Sequence, residues 1–244
     1  MFDVHHTGNS KTSVASSKEG VSEYSIHVLG VCGGIGSGKS VACELLVSEL
    51  NCLAHIDSDS IAHSVYEPGS QAIQDVVDTF GPELLIEETG DIDRKRLGSI
   101  VFADSEAMRR LERIVWPHVR TKIWHRIEEI KSTAGAMPDK KPIIILEAAV
   151  LLDAGWEVFL DGVWVIHVSK DMALQRLQTN RGMSFDDAAK RVEAQQARRG
   201  IGNLQEEVNN GIVTAVIDNA GTLEDLKQDL LTKLSDTCNW YPNQ

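Results

Sequence analysis

The stretch LGVCGGIGSGKSVACELL, residues 29–46, decides the fold class of this chain. Within it, Gly33, Gly38, Lys39 and Ser40 meet the spacing G-x-x-x-x-G-K-[ST] of a phosphate-binding loop, or P-loop. Glycines let the backbone adopt positive φ angles and gather its N–H groups into a nest for phosphate oxygens. The lysine of such a loop reaches the β- and γ-phosphates, and the following hydroxyl binds Mg²⁺. The motif therefore predicts a nucleoside triphosphate site.

The residues on either side of this motif fit a strand before it and a helix after it. Residues 26–32, IHVLGVC, form an apolar run typical of a buried strand in a parallel sheet. Val41, Leu45 and Leu46 then recur at roughly helical spacing. A glycine-rich turn that binds nothing is the alternative interpretation, but this context favours a triphosphate site. The residues predicted to contact the nucleotide are Gly34, Ile35, Gly36, Ser37, Gly38, Lys39, Ser40 and Val41.

Length and composition restrict the class of protein. A chain of 244 residues accommodates one α/β core with an insertion, or two small domains. The formal net charge of −12 disfavours non-specific binding to nucleic acid or to anionic membranes, so neither is an expected partner. The four cysteines show no paired or metal-ligand spacing, and no apolar run is long enough to span a bilayer. These features predict a cytoplasmic protein with reduced thiols. We expect a monomer or a weak homo-oligomer, which composition itself does not decide.

The first part of the chain differs in composition from the rest. Residues 1–24 are polar, rich in Ser, Thr and Gly, and contain no apolar segment of the kind found in a secretory signal. We therefore expect these residues to be a disordered extension. The adjacent His5 and His6 offer metal ligands, but a solvated tail is the favoured interpretation.

Short apolar runs alternate with helical patterns through most of the chain, which is typical of an α/β fold. We predict a P-loop NTPase-type core with three layers, α/β/α, built around a parallel sheet. This nucleotide-binding core comprises residues 25–59 and 139–244. Besides residues 26–32, the predicted strands are residues 53–56, 143–146, 162–168 and 213–217.

The stretch between the two parts of the core is almost entirely helical in pattern. Residues 70–135 are expected to form four helices, and Pro117 is predicted to start the fourth because proline favours the first turn of a helix. No strand pattern interrupts this stretch. Residues 60–138 are therefore predicted to be a helical insertion in the α/β core.

Two aspartates follow the second predicted strand. Asp57 and Asp59 come where that strand ends, and His63 shares the predicted helix face of Asp59. In open α/β sheets ligands lie at the carboxyl ends of the strands, so we expect this pair to share a crevice with the P-loop. One carboxylate there can accept the proton of a hydroxyl group during phosphoryl transfer, and a second can hold Mg²⁺ through water. The alternative is an ordinary helix N-cap, where aspartate is common.

Arginines recur in the last third of the chain. Arg176 and Arg181 flank the end of one predicted helix, and the spacing of Arg198 and Arg199 places them near one face of the next. Phosphoryl transfer spreads negative charge over the γ-oxygens, which a mobile arginine can neutralise. The alternative is a solvated helix face whose arginines are balanced by neighbouring carboxylates.

Several segments together resemble one family, the dephospho-CoA kinases. GGIGSGKS resembles the family's P-loop, and IDSDSIAHSVYEPGS resembles its Asp-x-Asp segment followed by Pro-Gly. DRKRLGSIVFADSEAMRRLERI is similar to its Arg/Leu-rich helical pair, and VIDNAG to its last strand and adenine-side loop. The resemblance extends from Val28 to the last predicted helix. The P-loop alone is generic, whereas this set of segments in this order is specific.

The resemblance implies ATP-dependent phosphorylation of the ribose 3′-hydroxyl of dephospho-CoA, which yields coenzyme A and ADP, with ATP and Mg²⁺ as cofactors. It implies that Asp59 acts as the base and that Lys39 holds the transferred phosphate. The metal ion would be held by Ser40, and by Asp57 through water. Asn219, in the VIDNAG segment, would contact the nucleotide.

The same resemblance assigns roles to the remaining regions. Residues 60–138 would bind the coenzyme A part of the substrate together with Asp59. Residues 176–205 would form a helical lid within the core. The residues assigned in this way are His63 and Arg96 for the substrate, and Arg181 and Arg198 for catalysis from the lid.

Two alternatives remain open from the sequence. One is another P-loop kinase for a small molecule, such as a nucleoside monophosphate or shikimate, although the long helical insertion argues against shikimate kinase. The other is a nucleotide-binding interaction protein with weak catalytic activity, against which the intact Lys39, Ser40 and Asp59 argue. A GTP-driven switch is disfavoured because the chain has no Asn-Lys-x-Asp segment of the kind that reads guanine.

Overall fold

The computed structural model describes residues 26–134 and 141–237, so the extension expected at residues 1–24 lies outside the described residues. The strands are β1 (His27–Cys32), β2 (Cys52–Asp57), β3 (Leu85–Ile86), β4 (Asp91–Ile92), β5 (Lys141–Glu147), β6 (Gly162–His167) and β7 (Ala215–Asp218). The helices are α1 (Lys39–Ser48), α2 (Ser58–Ser64), α3 (Gln71–Phe80), α4 (Arg94–Ala103), α5 (Ser105–Thr133), α6 (Lys170–Arg181), α7 (Phe185–Ala194), α8 (Leu204–Asn209) and α9 (Leu223–Thr237).

One parallel sheet organises the described residues, with strand order β2-β5-β1-β6-β7. The P-loop strand β1 lies at its centre, where Leu29 is aligned with Ile145 of β5 and with Gly162 of β6. The connections between neighbouring strands pass through helices, as parallel pairing requires. The predicted parallel sheet is confirmed.

Apolar side chains cover both faces of this sheet, as a buried parallel sheet requires. Ile145 of β5 packs in one core with Leu46 of α1 and Leu230 of α9. Ile144, the preceding residue, points the other way and packs in a second core that includes Val76 of α3. All five side chains are fully buried. Two cores on opposite faces of one sheet confirm the predicted three-layer α/β/α arrangement.

The helical insertion contains a short hairpin that the sequence analysis did not predict. β3 and β4 pair antiparallel, with Leu85 opposite Ile92 and Ile86 opposite Asp91. The turn between them includes Gly90 in the left-handed region, at a φ of 74°. The expectation that no strand interrupts this stretch was wrong, because strands of two residues carry no readable alternation of apolar and polar positions.

The longest helix also departs from the expectation. α5 continues through Pro117 instead of starting there. Proline has no N–H to donate to the carbonyl four residues earlier, which weakens the helix at this point. Val115, Val119 and Ile123 form a buried stripe across it, however, and their packing keeps the helix continuous. None of the helices within residues 26–134 and 141–237 is long and apolar enough to cross a bilayer.

The packing of β5 leads to a stability prediction. Ile145→Ala should lower the free energy of unfolding by about 2–5 kcal/mol, because it leaves a cavity in the fully buried core next to β1. Phe102→Ala is the control, since that side chain is 83% exposed and its loss should change stability by less than about 0.5 kcal/mol. Chemical denaturation of both variants measures the difference, and equal effects would contradict the packing described here.

Candidate active site

The P-loop connects β1 to α1 and turns through glycines in the left-handed region. Gly36 has a φ of 78° and Gly38 a φ of 86°. A Cβ on Gly38 would lie 2.4 Å from the side-chain nitrogen of Asn219, so only glycine fits there. That nitrogen donates a hydrogen bond of 2.8 Å to the carbonyl of Ser37. This close approach ties the P-loop to the end of β7.

Two further side chains hold the P-loop in this shape. The Arg176 guanidinium donates to the carbonyl oxygens of Ser37, at 3.3 Å, and of Asn219, at 2.7 Å. The N–H of Ile35 donates to the side-chain oxygen of Gln195 at 2.6 Å. Arg176 was a candidate for contact with phosphate, and the structure instead gives it the backbone of the P-loop as a partner. Neither of these contacts could be read from the sequence, because they join distant segments.

A cleft of about 750 Å³ opens in front of the P-loop. It is lined by most of the residues that the sequence analysis assigned to the site. These are Gly34, Ile35, Gly36, Gly38, Lys39, Ser40, Val41, Asp57, Asp59, Arg181 and Asn219. Ser37 is buried within the loop instead. The structure thus brings the P-loop and the acidic pair to the same edge of the sheet.

Glu147 lines this cleft, and the sequence analysis did not assign it to the site. It ends β5 and is only 6% exposed. Its Oε1 accepts a hydrogen bond of 2.6 Å from the Ser40 hydroxyl and lies 3.7 Å from Nζ of Lys39. Its Oε2 lies 3.0 Å from Nε2 of His55. One carboxylate therefore joins the two reactive residues of the P-loop to strand β2.

The surroundings of Glu147 keep it ionised. Burial by itself would raise the pKa of this carboxyl group, but the hydrogen bonds from His55 and Ser40 and the charge of Lys39 hold the pKa below its usual range. The carboxylate thus stays negatively charged at neutral pH beside the lysine that is predicted to hold phosphate.

Asp57 and Asp59 have different surroundings although they are two residues apart. The Asp57 carboxylate caps α2, because it accepts hydrogen bonds from the N–H of Asp59 at 2.9 Å and from the hydroxyl of Ser60 at 2.6 Å. Burial raises the pKa of Asp57, and these hydrogen bonds outweigh it, so the pKa is lowered. The helix-cap alternative therefore applies to Asp57.

Asp59 lies in the first turn of α2 and lines the cleft. Loss of water around its carboxylate, together with the negative charges of Asp57 and Glu147, raises its pKa against the attraction of Lys39. A carboxylate with a raised pKa in a cleft is better suited to accept a proton than one engaged in capping a helix.

Two residues predicted to contact the substrate do not line this cleft. His63 follows Asp59 by one turn of α2, and its Nδ1 donates to the Asp59 carbonyl at 2.8 Å. Arg96 lies on α4, where its guanidinium is 3.8 Å from a carboxylate oxygen of Glu83. Both side chains belong to the helical insertion.

Arg198 lies outside the cleft as well. Its guanidinium is 3.3 Å from Glu112 and 3.5 Å from Asp153. The expectation that Arg198 and Arg199 share a face of α7 was wrong, because α7 ends at Ala194 and both arginines follow it. Arg199 instead forms ion pairs at 2.8 Å with Glu207, which is 4% exposed, and at 3.0 Å with Glu157. Ion pairs with acidic residues from other parts of the chain, and not helix periodicity, determine where these arginines lie.

Comparison with known proteins identifies the family. The family model for dephospho-CoA kinase matches residues 27–225. A dephospho-CoA kinase of Carboxydothermus hydrogenoformans is 37% identical over 207 residues, which is 85% of this chain and 92% of that protein. The dephospho-CoA kinase of Geobacter sulfurreducens is 36% identical and covers 83% of this chain and 94% of its own length.

The chain belongs to the dephospho-CoA kinase family. It is therefore a kinase that transfers phosphate to an alcohol, and ATP is the phosphate donor of such a kinase. This confirms the resemblance inferred from the sequence, and the comparisons do not favour another P-loop kinase or a catalytically weak interaction protein.

Solved structures agree with membership of the dephospho-CoA kinase family. A crystal structure of a Thermus thermophilus protein has a TM-score of 0.63 and 29% identity, and covers 86% of this chain and 97% of its own. A dephospho-CoA kinase from Campylobacter jejuni has a TM-score of 0.55 and 25% identity, and covers 85% of this chain and 94% of its own. This chain thus shares its fold with each of these two proteins over most of its own length and most of theirs.

The network around Glu147 leads to a prediction for this kinase. Glu147→Gln should lower kcat by roughly 10²–10³, the usual effect of losing one preorganised electrostatic contact, because Ser40 and Lys39 lose a charged partner. Glu207→Gln is a matched control, since it removes an equally buried carboxylate whose partner, Arg199, lies outside the cleft. That change should lower the melting temperature and leave kcat near the wild-type value. Steady-state kinetics and thermal melts of both variants check this, and a Glu147→Gln enzyme with normal kcat would contradict it.

Proposed function

We propose that the chain phosphorylates the ribose 3′-hydroxyl of dephospho-CoA with ATP and so yields coenzyme A and ADP. The proposal rests on the meeting of Lys39, Glu147 and Asp59 at one edge of the sheet, in one cleft. A phosphate-binding loop and a carboxylate in one cleft are the parts that transfer to a hydroxyl group requires. Membership of the family supplies the substrate class.

The P-loop binds and orients the triphosphate in this proposal. Its backbone N–H groups and the N-terminus of α1 face the phosphates, and Lys39 places a positive charge beside the β- and γ-oxygens. Asn219 and Arg176 keep the P-loop in the required shape through the hydrogen bonds described above. Arg181 lines the same cleft at the end of α6, so it is better placed than Arg198 to contact the transferred phosphate.

Asp59 is the proposed general base. Its raised pKa favours proton acceptance, and it lines the same cleft as the P-loop, where the acceptor hydroxyl group would lie. Asp59 accepts the proton of the ribose hydroxyl as that oxygen bonds to the γ-phosphorus, while ADP leaves with the electron pair of the broken bond. Because Asp57 is engaged with α2, the two aspartates do not share this role.

The oxygen atoms of the cleft fit a magnesium ion. Mg²⁺ prefers hydroxyl, carboxylate and water oxygens in octahedral geometry. The Ser40 hydroxyl and the Glu147 carboxylate are in contact at 2.6 Å, and Asp57 lines the same cleft and would act through water. When bound, the ion would neutralise charge on the β- and γ-phosphates.

The helical parts complete the proposal. Residues 60–138 would bind the coenzyme A part of the substrate, with His63 and Arg96 as contacts, and residues 176–205 would act as a lid. Arg198 would have to exchange its ion pairs with Glu112 and Asp153 to reach the transferred phosphate. A cytoplasmic location and a monomeric or weakly associated state stay predictions of the sequence.

The choice of acceptor tests the proposed function directly. ADP release from ATP and Mg²⁺ is measured with dephospho-CoA, adenosine and AMP supplied singly. We expect a much higher kcat/KM for dephospho-CoA, because binding energy from the pantetheine arm contributes far from the reacting hydroxyl. An equal kcat/KM for adenosine would identify a nucleoside kinase and overturn the proposal.

Substitution of the two aspartates distinguishes the proposed general base, Asp59, from the helix cap, Asp57. Asp59→Asn should lower kcat by roughly 10²–10⁴, as loss of a general base usually does, with normal ATP binding and a normal melting temperature. Asp57→Asn should keep its hydrogen bonds to α2, because asparagine caps helices about as well as aspartate. Its smaller loss of kcat should be relieved by raising the Mg²⁺ concentration. Normal turnover in Asp59→Asn would move the base to another carboxylate.

A further inference from the structure

Three side chains with metal-ligand chemistry converge behind the P-loop. Sγ of Cys43, a ring nitrogen of His55 and a carboxylate oxygen of Glu147 all lie within 4.8 Å of one another. We propose that they form a binding site for a borderline-soft divalent cation, namely Zn²⁺. This site is distinct from the oxygen-rich Mg²⁺ site proposed above, although the two share Glu147.

The helix and strands that carry these ligands belong to the packed core. Cys43 lies on α1 and is fully buried, while His55 and Glu147 lie on the paired strands β2 and β5. Nε2 of His55 and Oε2 of Glu147 are already 3.0 Å apart. In a tetrahedral zinc site, Zn–S bonds of about 2.3 Å and Zn–N bonds of about 2.0 Å hold the ligand atoms roughly 3.5 Å apart. Small side-chain movements therefore suffice to close three ligands on one ion.

The ligand set favours zinc over magnesium and leaves a path for its entry. Thiolate, imidazole and carboxylate are common zinc ligands, whereas Mg²⁺ binds sulfur and nitrogen poorly. His55 and Glu147 line the cleft, and Cys43 lies behind them. An ion can thus enter from the cleft and keep a water molecule on its open side, as zinc sites with three protein ligands do.

Charge and protons balance when the ion binds. Burial raises the pKa of the Cys43 thiol, so it is protonated until a cation displaces its proton to solvent. His55 binds through Nε2 with its ring proton on Nδ1, and its present hydrogen bond to Glu147 is replaced by two bonds to the ion. One dication then faces one thiolate and one carboxylate. The net charge of the occupied site is zero, which suits a partly buried place.

Occupation of this site would affect the kinase reaction. Zn²⁺ on Glu147 takes charge from the carboxylate that contacts Ser40 and Lys39. We expect Zn²⁺ to inhibit phosphoryl transfer at saturating Mg²⁺. This consequence rests on the proposed function, whereas binding of the ion does not.

The competing interpretation is that Cys43 only fills space in the core, since buried cysteine packs as a small apolar residue. Titration of the full chain with Co²⁺, a spectroscopic substitute for Zn²⁺, separates the two. A thiolate ligand produces a near-ultraviolet charge-transfer band, and tetrahedral geometry produces strong visible bands. We expect both in the wild type and their loss on addition of Zn²⁺.

Matched variants locate the ligand. Cys43→Ala should lose the charge-transfer band and weaken Zn²⁺ binding by at least about 100-fold, because even partners outside the ligand shell account for 10–100-fold. Cys52→Ala should retain both properties, since Cys52 is equally buried but outside the cluster. His5 and His6 are present in every variant and cannot explain a difference between them.

A second ligand variant and thermal melts distinguish the loss of a ligand from misfolding of the variant. His55→Gln keeps the Cys43 thiol and should also lose tetrahedral Co²⁺ binding, and melting temperatures show whether each variant is folded. Cys43→Ala with wild-type Co²⁺ bands and wild-type Zn²⁺ affinity would overturn the site. In the kinase assay, Zn²⁺ should inhibit the wild type and Cys52→Ala but spare Cys43→Ala. Equal inhibition of all three proteins would overturn the inhibitory role of this site. That result would not bear on the proposed function, which the assay with different acceptors tests separately.

Discussion

The register of β5 between β1 and β2 is the constraint on which both the core and the cleft depend. Glu147 is aligned with Val31 on one side and with Asp57 on the other. Successive residues of β5 face opposite cores, so a slip by one residue would exchange the cores that Ile144 and Ile145 enter. The same slip would remove Glu147 from Ser40. Burial of apolar side chains on both faces thus fixes the position of the ionised carboxylate.

This carboxylate in turn differentiates the residues around it. Its negative charge contributes to the raised pKa of Asp59, while hydrogen bonds from α2 lower that of Asp57. Two aspartates separated by a single serine therefore differ in protonation behaviour. The difference arises from what each carboxylate contacts and not from residue type, which is why the sequence left the base and the helix cap as alternatives.

Local signals in the sequence were enough to predict the P-loop, the parallel α/β core and the meeting of Asp57 with the P-loop. These signals depend on neighbouring residues, or on the rule that the carboxyl ends of parallel strands lie at the same edge of the sheet. Glu147 was missed because its role requires knowing that β5 lies next to β1, and strand order is a property of the whole sheet. Arg198 was misplaced for a similar reason, since its partners Glu112 and Asp153 come from distant segments. The prediction that a helix starts at Pro117 was wrong, because the packing of buried side chains along α5 outweighs the preference of proline for the first turn of a helix.

The two oxygens of Glu147 face different chemistry. Oε1 faces the Ser40 hydroxyl and the Lys39 ammonium, which are partners of phosphate and of a hard cation. Oε2 faces His55, and the Cys43 thiol lies within 4.8 Å of a His55 ring nitrogen and a Glu147 carboxylate oxygen, so that side offers ligands for a softer ion. A carboxylate shared in this way cannot serve both sides at full charge. Whatever binds on the His55 side must therefore change the electrostatic potential at the P-loop, because both sides act on the same negative charge.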